Sequence, residues 1–559
     1  MKAPEAIVEL LARADVDTVF TLASEEIIPL LSEMEDERGD EFRVVHCRHE
    51  QGAAAMADGY ARFAEGIGVC VVGRGPAIAQ TGTSLVAASN YGSDVLYLVP
   101  ETRRTTANDG KGFGQGTFLA TMVGEVDSVR SAEVLLPRLG DAIRRIRAGE
   151  GPIAVQVPID VLDADLPEGT VVPEVGGSGA DEQDGRVEPD EAAIEAAVEA
   201  YYDADATAPP VILAGRGAVA ADAKAAIERL AERTNAYLAT TVQAMGYFAD
   251  HPYSLGFSGD LGSPVANEYL GESGFVLALG CSLNHHTVDK GRILRDDAKV
   301  VHVDSEPAPI GRFTAVDVGV VGDAKRAAEA FDAKLEEHGI DRRGEFWTDR
   351  ARERIAETTP VSDRTFEEVP GTADPRELVA ALDDALPDDR LVVADVGHFV
   401  GWVFDGLTID PADDLLWATD FLALGQALPL GTGAALAEEE RTTVVFCGDA
   451  GLMMILQELE TAARSGVPMI VVVMNDEALG AEYHMGKARG FSGSVGKIPA
   501  PEFGSLAAEL GAEGHTVTSA DEVEALAGDL QADLDGPVVV ECKVNPEAAH
   551  RSMGNISIE

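Results

Sequence analysis

Two acidic turns, each directly after an apolar run, are the residues of this chain best suited to chemistry. The sequence GDAG at 448–451 follows the run at 443–447, and Asn475-Asp476 follows the run at 469–474. A helical stretch separates them, and parallel strands joined in this way bring both turns to one edge of a sheet. Oxygen ligands and backbone amides at one edge can bind a hard cation and a diphosphate. An ordinary βαβ unit with acidic turns is the alternative interpretation.

The types and spacing of these residues resemble the thiamine diphosphate (ThDP) motif, in which Gly-Asp-Gly is followed by an Asn-Asn pair. Asp476 stands 27 positions after Asp449, the spacing usual in that family, and Leu479-Gly480 keeps the same register. Ala450 replaces the last glycine of the motif, and Asp476 replaces its second asparagine. A carboxylate in place of a carboxamide keeps an oxygen donor and adds one negative charge. The resemblance implies three Mg²⁺ ligands, which are the side chains of Asp449 and Asp476 and the backbone carbonyl of Ala478.

The charge balance of the chain restricts its partners. The 559 residues include 97 Asp and Glu against 43 Lys and Arg, which gives a formal net charge of −54 at pH 7. Such an excess disfavours nucleic acids and anionic membranes as partners, because both are negatively charged. The acidic residues are spread along the chain, which is typical of a halophilic protein whose self-repulsion is screened by salt. We therefore expect instability at low ionic strength.

The cysteines and the apolar runs predict a soluble, cytoplasmic protein. Five cysteines are scattered along the chain without CxxC or zinc-ligand spacing, so we expect buried, reduced thiols. The N-terminal segment MKAPEAIVELLARADV has an amphipathic helical pattern without the apolar core of a signal peptide. No apolar run approaches the ~18 residues that a transmembrane helix needs.

Helical and strand patterns alternate in three blocks of the chain. The length is too great for a single core and predicts about three domains. Each block carries buried-strand runs between helical stretches, which predicts an α/β fold of doubly wound parallel sheets. We place the domains at 1–172, 190–335 and 373–559. The Gly- and acid-rich stretch 173–190 and the polar stretch 341–372 are predicted to be linkers.

The order of the blocks resembles a known superfamily over nearly the whole chain. The predicted strands are Thr18–Phe20, Arg43–His46, Ile67–Val72, Val95–Val99 and Pro152–Val157, then Pro210–Leu213, Phe275–Leu279 and Lys299–Val303, then Leu391–Ala394, Thr443–Cys447, Met469–Met474 and Val538–Cys542. This order is similar to that of the ThDP-dependent 2-oxo-acid decarboxylases and acetohydroxyacid (acetolactate) synthases. The resemblance implies a pyrimidine-binding domain first, a Rossmann-like domain in the centre and a diphosphate-binding domain last.

The segment at 48–62 (RHEQGAAAMADGYAR) resembles the catalytic-glutamate segment of this superfamily almost position for position. The resemblance implies that Glu50 hydrogen-bonds N1′ of the cofactor pyrimidine. That bond favours the imine form of the 4′-amino group, which takes the proton of thiazolium C2. An apolar pocket would raise the pKa of such a carboxyl group and help it to share a proton. A plain place in a first helical turn, stabilised by the helix dipole, is the alternative.

Two further segments of the last block resemble cofactor-binding parts of the superfamily. Leu424 occupies the position of a bulky aliphatic residue that holds the cofactor in a bent conformation, and a core leucine is the alternative. The turn at 395–398 follows a strand where relatives contact the diphosphate, and His398 could donate a hydrogen bond there, while a helix cap is the alternative. The cofactor-binding set implied by the resemblance is Glu50, Gly397, His398, Leu424, Gly448, Asp449, Ala450, Gly451, Asp476, Leu479 and Gly480.

Most substrate-binding residues of acetohydroxyacid synthases are replaced in this chain. Their Phe-Gln-Glu triplet is Gly-Gln-Gly here, so that only Gln115 is kept, and Met485 stands where they have a tryptophan. Ile159 stands in place of their lysine, and the stretch 283–287 (LNHHT) lacks their arginine. The cofactor-binding pattern is therefore kept, whereas the substrate-binding residues differ.

Three other side chains are candidates for the altered substrate site. Arg74 lies where relatives carry Gly-Pro-Gly or a histidine, and it could hold a substrate carboxylate bidentately. His286 lies near the acid–base histidine of benzoylformate decarboxylase-like enzymes, and His484 follows the metal loop. For both histidines a surface or packed role is the alternative. The predicted catalytic set is Glu50, Leu424, Gln115, Arg74 and His286.

The central block contains a partial nucleotide-binding pattern. The sequence GRGAVA at 215–220 follows a strand and looks like part of a dinucleotide fingerprint. The signal is weak, because no acidic partner for a ribose is evident. Acetohydroxyacid synthases carry FAD in this domain while many relatives leave it empty, so FAD is the less favoured alternative.

The resemblance implies a ThDP- and Mg²⁺-dependent enzyme that breaks and forms C–C bonds of 2-oxo acids. Carboligation after decarboxylation, as in acetolactate synthase, is the leading interpretation and makes the protein a transferase. Non-oxidative decarboxylation, which would make it a lyase, and a ThDP-binding regulator without catalysis are the alternatives. Because the superfamily places its cofactor between the first domain of one subunit and the third domain of another, we expect a homodimer or homotetramer with active sites at the subunit interface.

Overall fold

The structure, a computed structural model, describes residues 1–554 except 65, 107–108, 176–185, 340–343, 359–363 and 410–413. It contains three six-stranded parallel sheets with helices between their strands. The predicted α/β class with parallel sheets is therefore confirmed. The predicted linkers at 173–190 and 341–372 lie partly outside the described residues.

The first sheet has the strand order β2–β1–β3–β4–β6–β5. All five residues of Gly68–Val72 are buried, as expected for an inner strand of a parallel sheet covered on both faces. Its strands are β1 (Thr18–Leu22), β2 (Arg43–His46), β3 (Gly68–Val72), β4 (Val95–Glu101), β5 (Glu125–Ser128) and β6 (Ile153–Pro158). Its helices are α1 (Ala3–Arg13), α2 (Ile28–Ser32), α3 (Glu50–Ala61), α4 (Pro76–Gln80), α5 (Gly82–Tyr91), α6 (Gln115–Met122), α7 (Leu135–Arg145) and α8 (Ile159–Leu162).

The second sheet has the order β12–β11–β10–β7–β8–β9, with one apolar cluster on each face. Its strands are β7 (Pro210–Ala214), β8 (Tyr237–Thr240), β9 (Ser254–Phe257), β10 (Phe275–Leu279), β11 (Lys299–Asp304) and β12 (Val318–Val321). Its helices are α9 (Glu191–Asp203), α10 (Arg216–Ala220), α11 (Lys224–Thr234), α12 (Pro264–Glu272), α13 (His285–Val288), α14 (Ala324–Glu337) and α15 (Asp349–Glu357).

The third sheet has the order β14–β13–β15–β16–β18–β17, so the two strands before the acidic turns lie side by side. Its strands are β13 (Arg390–Ala394), β14 (Leu415–Trp417), β15 (Thr442–Gly448), β16 (Met469–Asn475), β17 (Glu513–Val517) and β18 (Pro537–Lys543). The helices of this part are α16 (Pro375–Ala385), α17 (Val400–Gly406), α18 (Ala427–Ala437), α19 (Asp449–Ile455), α20 (Gln457–Arg464), α21 (Gly480–Ala488), α22 (Phe503–Glu509) and α23 (Ala520–Leu530).

The first and third sheets belong to one compact unit, and the second sheet belongs to another. Unit 1 consists of the described parts of Met1–Ala180, Glu368–Val400 and Trp417–Glu547, and unit 2 of those of Asp181–Glu367, Gly401–Leu416 and Ala548–Glu559. The domain limits 1–172, 190–335 and 373–559 stay a prediction, since three sequence blocks here give two units.

Helices α3 and α18 of unit 1 cross at the level of their backbones. A Cβ atom added to Gly59 would lie 2.0 Å from the carbonyl oxygen of Leu430, and one added to Gly433 would lie 2.0 Å from that of Met56. Only glycine allows such an approach, so this contact explains two glycines in otherwise good helical sequence. The crossing joins the helix of the glutamate segment to the third sheet.

Two further observations concern the cysteines and the helices. All five cysteines are buried and free. Among the described residues, no helix has both the length and the apolar character that a membrane span requires.

Candidate active site

Three carboxyl groups follow the C-terminal ends of three neighbouring strands in unit 1. Asp395 follows β13, Asp449 follows β15 and Asp476 follows β16. The three strands are adjacent and parallel in the third sheet. The structure thereby places all three carboxyl groups at the carboxyl edge of the sheet, where open α/β sheets bind their ligands. We call this surface the acidic edge.

Asp449 and Asp476 both have raised pKa values, and the charge of Asp476 contributes to the shift of Asp449. Burial and, next, the charge of Asp476 raise the pKa of Asp449 to about 8. Partial burial likewise raises the pKa of Asp476 to about 7. Two carboxylates that share a site cannot both ionise cheaply unless a cation neutralises them. Because carboxylate oxygens are the ligands that Mg²⁺ prefers, this pair fits the metal ion that the ThDP motif implies.

The loop after β16 carries the third predicted metal ligand. The amide of Ala478 donates a hydrogen bond of 3.0 Å to Oδ1 of Asp476. The amide of Leu479 donates to the carbonyl of Gly496 over 2.7 Å, and Ala478 forms an antiparallel bridge with Lys497. These bonds fix the loop that carries the Ala478 carbonyl, whose role as a ligand stays a prediction.

Two glycines lie directly against carboxyl groups of the acidic edge. A Cβ atom on Gly480 would lie 2.7 Å from Oδ2 of Asp476 and 3.0 Å from Nδ1 of His398. A Cβ atom on Gly451 would lie 2.7 Å from Oδ2 of Asp395. Contacts this short exclude any larger residue without a shift of the acidic groups. Two glycines of the predicted cofactor-binding set therefore border the carboxyl groups directly.

Three further residues of this set, Gly397, Gly448 and Ala450, lie around the same strand ends. Gly397 and Gly448 both face Phe399, since added Cβ atoms would lie 2.8 and 3.3 Å from its ring. Ala450 is the second residue of α19, directly after Asp449. The backbone amides of Ala450 and Gly451 therefore lie in the first turn of that helix, and their contact with a diphosphate stays a prediction.

Asp395 ties the turn that carries Leu424 to the end of β13. Its Oδ1 accepts from the amide of Val396, and its Oδ2 accepts from the amide of Gly425, each over 2.8 Å. Burial raises the pKa of Asp395 to about 6. Leu424 directly precedes Gly425, whose φ of +79° suits a glycine. In the turn at 395–398 only Gly397 and His398 were predicted as site residues, although the place of Asp395 after a buried strand, beside the strand that leads to Asp449, is a usable signal.

The rings of His398 and His484 lie in contact beside the acidic edge, tilted by 46° to each other. Both are buried, with 7% exposure each, and their ring centroids lie 4.6 Å apart. Burial lowers the pKa of His484 to about 4, with a smaller effect from Lys487. Near neutral pH its imidazole is therefore uncharged.

Glu50 is the first residue of α3, and its side chain is half-buried. His49 caps this helix, because its Nδ1 accepts from the amide of Gln51 over 3.1 Å. Burial, and next the charge of Glu50, raise the pKa of Cys70 on β3. Across unit 1, this segment contacts α20 through the amide of Arg48 and α18 through Met56 and Gly59.

Arg74 and Gln115 are both engaged inside the protein. Arg74 pairs with Glu26 through Nε at 3.1 Å and with Asp109 through Nη1 at 2.5 Å. Gln115 accepts from the amide of Gly75 over 2.9 Å and donates to the carbonyl of Pro100 over 3.0 Å. These bonds fix the turn after β3. The role of either residue toward a substrate stays a prediction.

His286 lies in unit 2, at the start of α13. Its Nδ1 lies 3.1 Å from Oδ2 of Asp260, and Nε2 of the neighbouring His285 lies 3.7 Å from the same oxygen. The loop that carries Asp260 is fixed by the side chain of Asn267, which bonds both the amide and the carbonyl of Gly259. A histidine paired with a carboxylate is a usual arrangement for a proton-transfer group.

The glycines of the partial nucleotide pattern have a packing role. A Cβ atom on Gly215 would lie 2.4 Å from the carbonyl oxygen of Gly280, and one on Gly217 would lie 2.8 Å from the Cα of the same residue. The turn after β7 and the end of β10 therefore touch through their backbones. This contact accounts for both glycines without a bound nucleotide.

Three parts of the chain match family models of thiamine pyrophosphate (TPP) enzymes. TPP is another name for ThDP. Residues 1–122 match the N-terminal TPP binding domain, 194–331 the central domain and 395–542 the C-terminal TPP binding domain. The first range contains Glu50, and the last contains Asp449 and Asp476.

Relatives of similar length align with nearly the whole chain. YdaP of Bacillus subtilis, whose name describes an inferred thiamine pyrophosphate-containing protein, is 27% identical over 558 residues. The alignment covers 98% of this chain and 92% of YdaP. The probable acetolactate synthase large subunit of Methanococcus aeolicus is 26% identical over 576 residues, covering 98% and 93%. The acetolactate synthase large subunit of Parasynechococcus marenigrum is 27% identical over 545 residues, covering 95% and 85%.

The chain belongs to the superfamily of ThDP-dependent enzymes. Within that superfamily it is similar to the acetolactate synthases. The resemblance read from the two acidic turns and the glutamate segment is thus confirmed.

Proposed function

We propose that the protein uses ThDP and Mg²⁺ to act on 2-oxo acids, with carboligation after decarboxylation, as in acetolactate synthase, as its reaction. The observation that carries the proposal is the pair of carboxyl groups, Asp449 and Asp476, that directly follow two adjacent parallel strands and both have raised pKa values. Such a pair suits a divalent cation between protein and diphosphate. The names of the relatives support the reaction class, because most describe acetolactate synthases.

The acidic edge would hold the metal ion and the diphosphate. Asp449, Asp476 and the carbonyl of Ala478 are the proposed magnesium ligands. The amides of Ala450 and Gly451, together with His398, are the proposed diphosphate donors. When bound, ThDP supplies an electron sink for the electron pair left by C–C bond cleavage.

Three side chains would prepare the bound cofactor and the substrate. Glu50 would hold a proton at the pyrimidine nitrogen N1′, and Leu424 would support the bent conformation. His286, paired with Asp260, is the proposed proton donor or acceptor of unit 2. Arg74 and Gln115 remain proposed residues of the substrate site, although their present contacts favour a role in shaping the turn after β3.

The protein is proposed to be a cytoplasmic, halophilic homodimer or homotetramer with the cofactor at a subunit interface. Four apolar side chains support an oligomer, since Phe421, Leu422, Met453 and Met454 are each about half exposed. The turn that follows the first two packs against the last, because a Cβ atom on Gly425 would lie 3.2 Å from Cβ of Met454. Large exposed apolar groups that lie together are typical of a surface covered by another subunit. The net charge of −54 supports the halophilic part of the proposal.

Product analysis of the purified protein in high salt tests this function. The protein would receive ThDP and Mg²⁺ with pyruvate, 2-oxobutyrate and branched or aromatic 2-oxo acids, while CO₂, aldehyde and acyloin are followed together. Acetolactate from pyruvate is the expected product. Aldehyde without acyloin would instead assign a non-oxidative decarboxylase, as in benzoylformate decarboxylase. No turnover despite bound ThDP would exclude both reactions on these substrates.

The variant Glu50→Gln separates an enzyme from a ThDP-binding regulator. A proton-sharing carboxyl group is worth about 10²- to 10⁴-fold in rate, so turnover should fall by that factor. Binding of ThDP at the acidic edge should remain. Glu37→Gln, an exposed acidic position of the same domain, is the matched control for the change in charge.

A further inference from the structure

Glu458, on α20, reaches across unit 1 to the segment that begins α3. Its side chain is fully buried, with 0% exposure. Its two carboxylate oxygens lie 3.2 and 3.3 Å from the amide nitrogen of Arg48, which donates to them. The hydroxyl of Thr461 donates to Oε2 over 2.7 Å. A buried carboxylate thus accepts a backbone amide only two residues before Glu50.

Gly52 is shaped to fit this carboxylate. A Cβ atom at position 52 would lie 2.5 Å from both Cδ and Oε1 of Glu458. The carboxylate is held by Arg48 and Thr461, so it cannot move aside without the loss of these hydrogen bonds. Glu458 therefore contacts the chain on both sides of Glu50, at residue 48 and at residue 52.

A second, outer contact joins the same two segments. The guanidinium of Arg48 pairs with Glu460 through two bonds of 2.6 and 2.7 Å. The Arg48 side chain is 53% exposed, and exposed ion pairs contribute little to stability. The contacts of Glu458 and Glu460 come from one helix and reach one loop, but only that of Glu458 is buried. This difference provides a matched control.

We propose that Glu458 is the positioning residue for Glu50, and that Gly52 is required because Glu458 occupies the space beside it. The proposal rests on the proposed function, in which Glu50 shares a proton with the cofactor. Strict placement matters for that role, because the strength of a hydrogen bond falls steeply with distance and angle. Glu458 itself touches neither substrate nor cofactor in this assignment.

The amide variant removes the acceptor while it keeps the size. A carboxylate only accepts hydrogen bonds, whereas the NH₂ group of glutamine donates. In Glu458→Gln one of the two groups that face Arg48 and Thr461 would become a donor, and the N-terminal turn of α3 would shift. Loss of such a supporting bond typically costs about 10- to 100-fold in activity.

The test compares Glu458→Gln and Gly52→Ala with the control Glu460→Gln. Steady-state kinetics over a range of pH and calorimetric binding of ThDP with Mg²⁺ would be measured in high salt. For both test variants we expect kcat to fall by about tenfold or more with KM nearly unchanged. We also expect the acidic limb of the kcat profile to shift. In Glu460→Gln, kcat and its profile should match the parent protein.

A double-variant cycle tests the proposed fit between the two residues. Gly52→Ala should lower kcat much less in the Glu458→Ala background than in the parent protein, because the carboxylate that would collide with the added methyl group is absent. An equal loss of kcat in both backgrounds would show that the need for glycine at position 52 does not depend on Glu458. Test variants that bind ThDP and keep the parent kcat and pH profile would overturn the positioning role.

Hydrogen exchange of residues 46–56 separates failure of this inference from failure of the proposed function. Even in a protein that turns over no 2-oxo acid, Glu458→Gln should speed exchange at the amide of Arg48, whereas Glu460→Gln should not. Unchanged exchange in Glu458→Gln would refute the contact on which the inference depends. A parent protein without turnover, but with faster exchange in Glu458→Gln, would refute the function alone.

Discussion

The amide of Gly425 donates a hydrogen bond of 2.8 Å to Oδ2 of Asp395, thirty positions earlier in the chain. The bond fastens the turn behind Leu424 to the end of β13, next to the strand that leads to Asp449. The same carboxylate oxygen would lie 2.7 Å from a Cβ atom on Gly451. Asp395 therefore connects Leu424, which is proposed to support the bent cofactor, with the first turn of α19.

The variant Asp395→Asn should impair catalysis more than folding. The asparagine NH₂ group is a donor and would face one of two backbone amide donors, those of Val396 and Gly425. One of the two hydrogen bonds would be lost, and the turn that contains Leu424 would be held less firmly. We expect kcat to fall about tenfold or more, as for other residues that support a binding group. Steady-state kinetics would be compared with Asp389→Asn, an exposed acidic residue just before β13. Equal kcat values in both variants would contradict the role of Asp395.

Asparagine should be tolerated at position 476 but not at position 449. Asp476→Asn restores the residue type usual in the ThDP motif, keeps an oxygen ligand and removes one of two repelling charges. Asp449→Asn removes the carboxylate that stands at the aspartate position of the motif. Calorimetric titration of Mg²⁺ with ThDP should show affinity within about threefold of the parent for Asp476→Asn and a loss of at least about 100-fold for Asp449→Asn. The opposite order would exclude the proposed metal site.

His484 should make the protein sensitive to mild acid. Its pKa is about 4 when folded, against about 6.5 for an exposed histidine, so the unfolded chain binds the proton more readily. Stability is therefore fully present above about pH 6.5 and is lost as the pH falls toward 4. Lys487, Lys497, Glu547 and the ring of His398 face this group, and the two lysines add to the effect.

Thermal unfolding midpoints from about pH 4.5 to 7.5 would measure this dependence. In His484→Gln the decline at acidic pH should become shallower, since one group with a lowered pKa is removed. His338→Gln, at a partly exposed histidine, is the control and should keep the slope of the parent. An unchanged slope in His484→Gln would show that other groups set the acid limit.

Substitution of Arg74 separates a structural role from a substrate-binding role. Arg74→Met leaves the carboxylate of Glu26, which is 5% exposed, without one of its two cations. If the pairing is mainly structural, the unfolding midpoint should fall by about 5 °C. In that case KM for the 2-oxo acid should change little. A large rise of KM without loss of stability would instead support contact with the substrate carboxylate.

Salt should stabilise the protein strongly. The Debye length shortens from about 10 Å at 0.1 M salt to about 3 Å at 1 M, which screens repulsion among the excess acidic groups. With a net charge of −54, the unfolding midpoint should rise steadily with KCl. Sucrose serves as an uncharged control and should not replace the salt. A midpoint independent of KCl would contradict a halophilic adaptation.

Most inner strands, with the exception of β8, could be predicted from sequence, whereas several edge strands could not. Runs such as Met469–Met474 are apolar throughout, because both faces of an inner parallel strand are covered. Two edge strands, β5 and β17, have the sequences EVDS and EGHTV, and most of their residues are at least partly exposed. Edge strands keep polar and charged residues, which avoid pairing with other chains. No apolar pattern therefore marked them.

The sequence by itself determined the class of the protein and the acidic pair. Both depend only on the order of residues within short segments, because an acidic turn that directly follows a parallel strand lies at the carboxyl edge of its sheet wherever that sheet is placed. Asp449 and Asp476 come to one edge because parallel strands joined by a right-handed crossover must end on the same side. The glutamate segment could be recognised in the same way, from consecutive residues alone.

Only the tertiary structure decided which groups serve each other across the chain. Glu458 and Arg48 are 410 positions apart, and their contact exists because α20 packs against the loop before α3. From the sequence, Arg74 was predicted to bind a substrate carboxylate. The fold instead places its guanidinium between the carboxylates of Glu26 and Asp109. Hydrogen bonds act only over about 3 Å, so such partners are defined by packing and not by spacing along the chain.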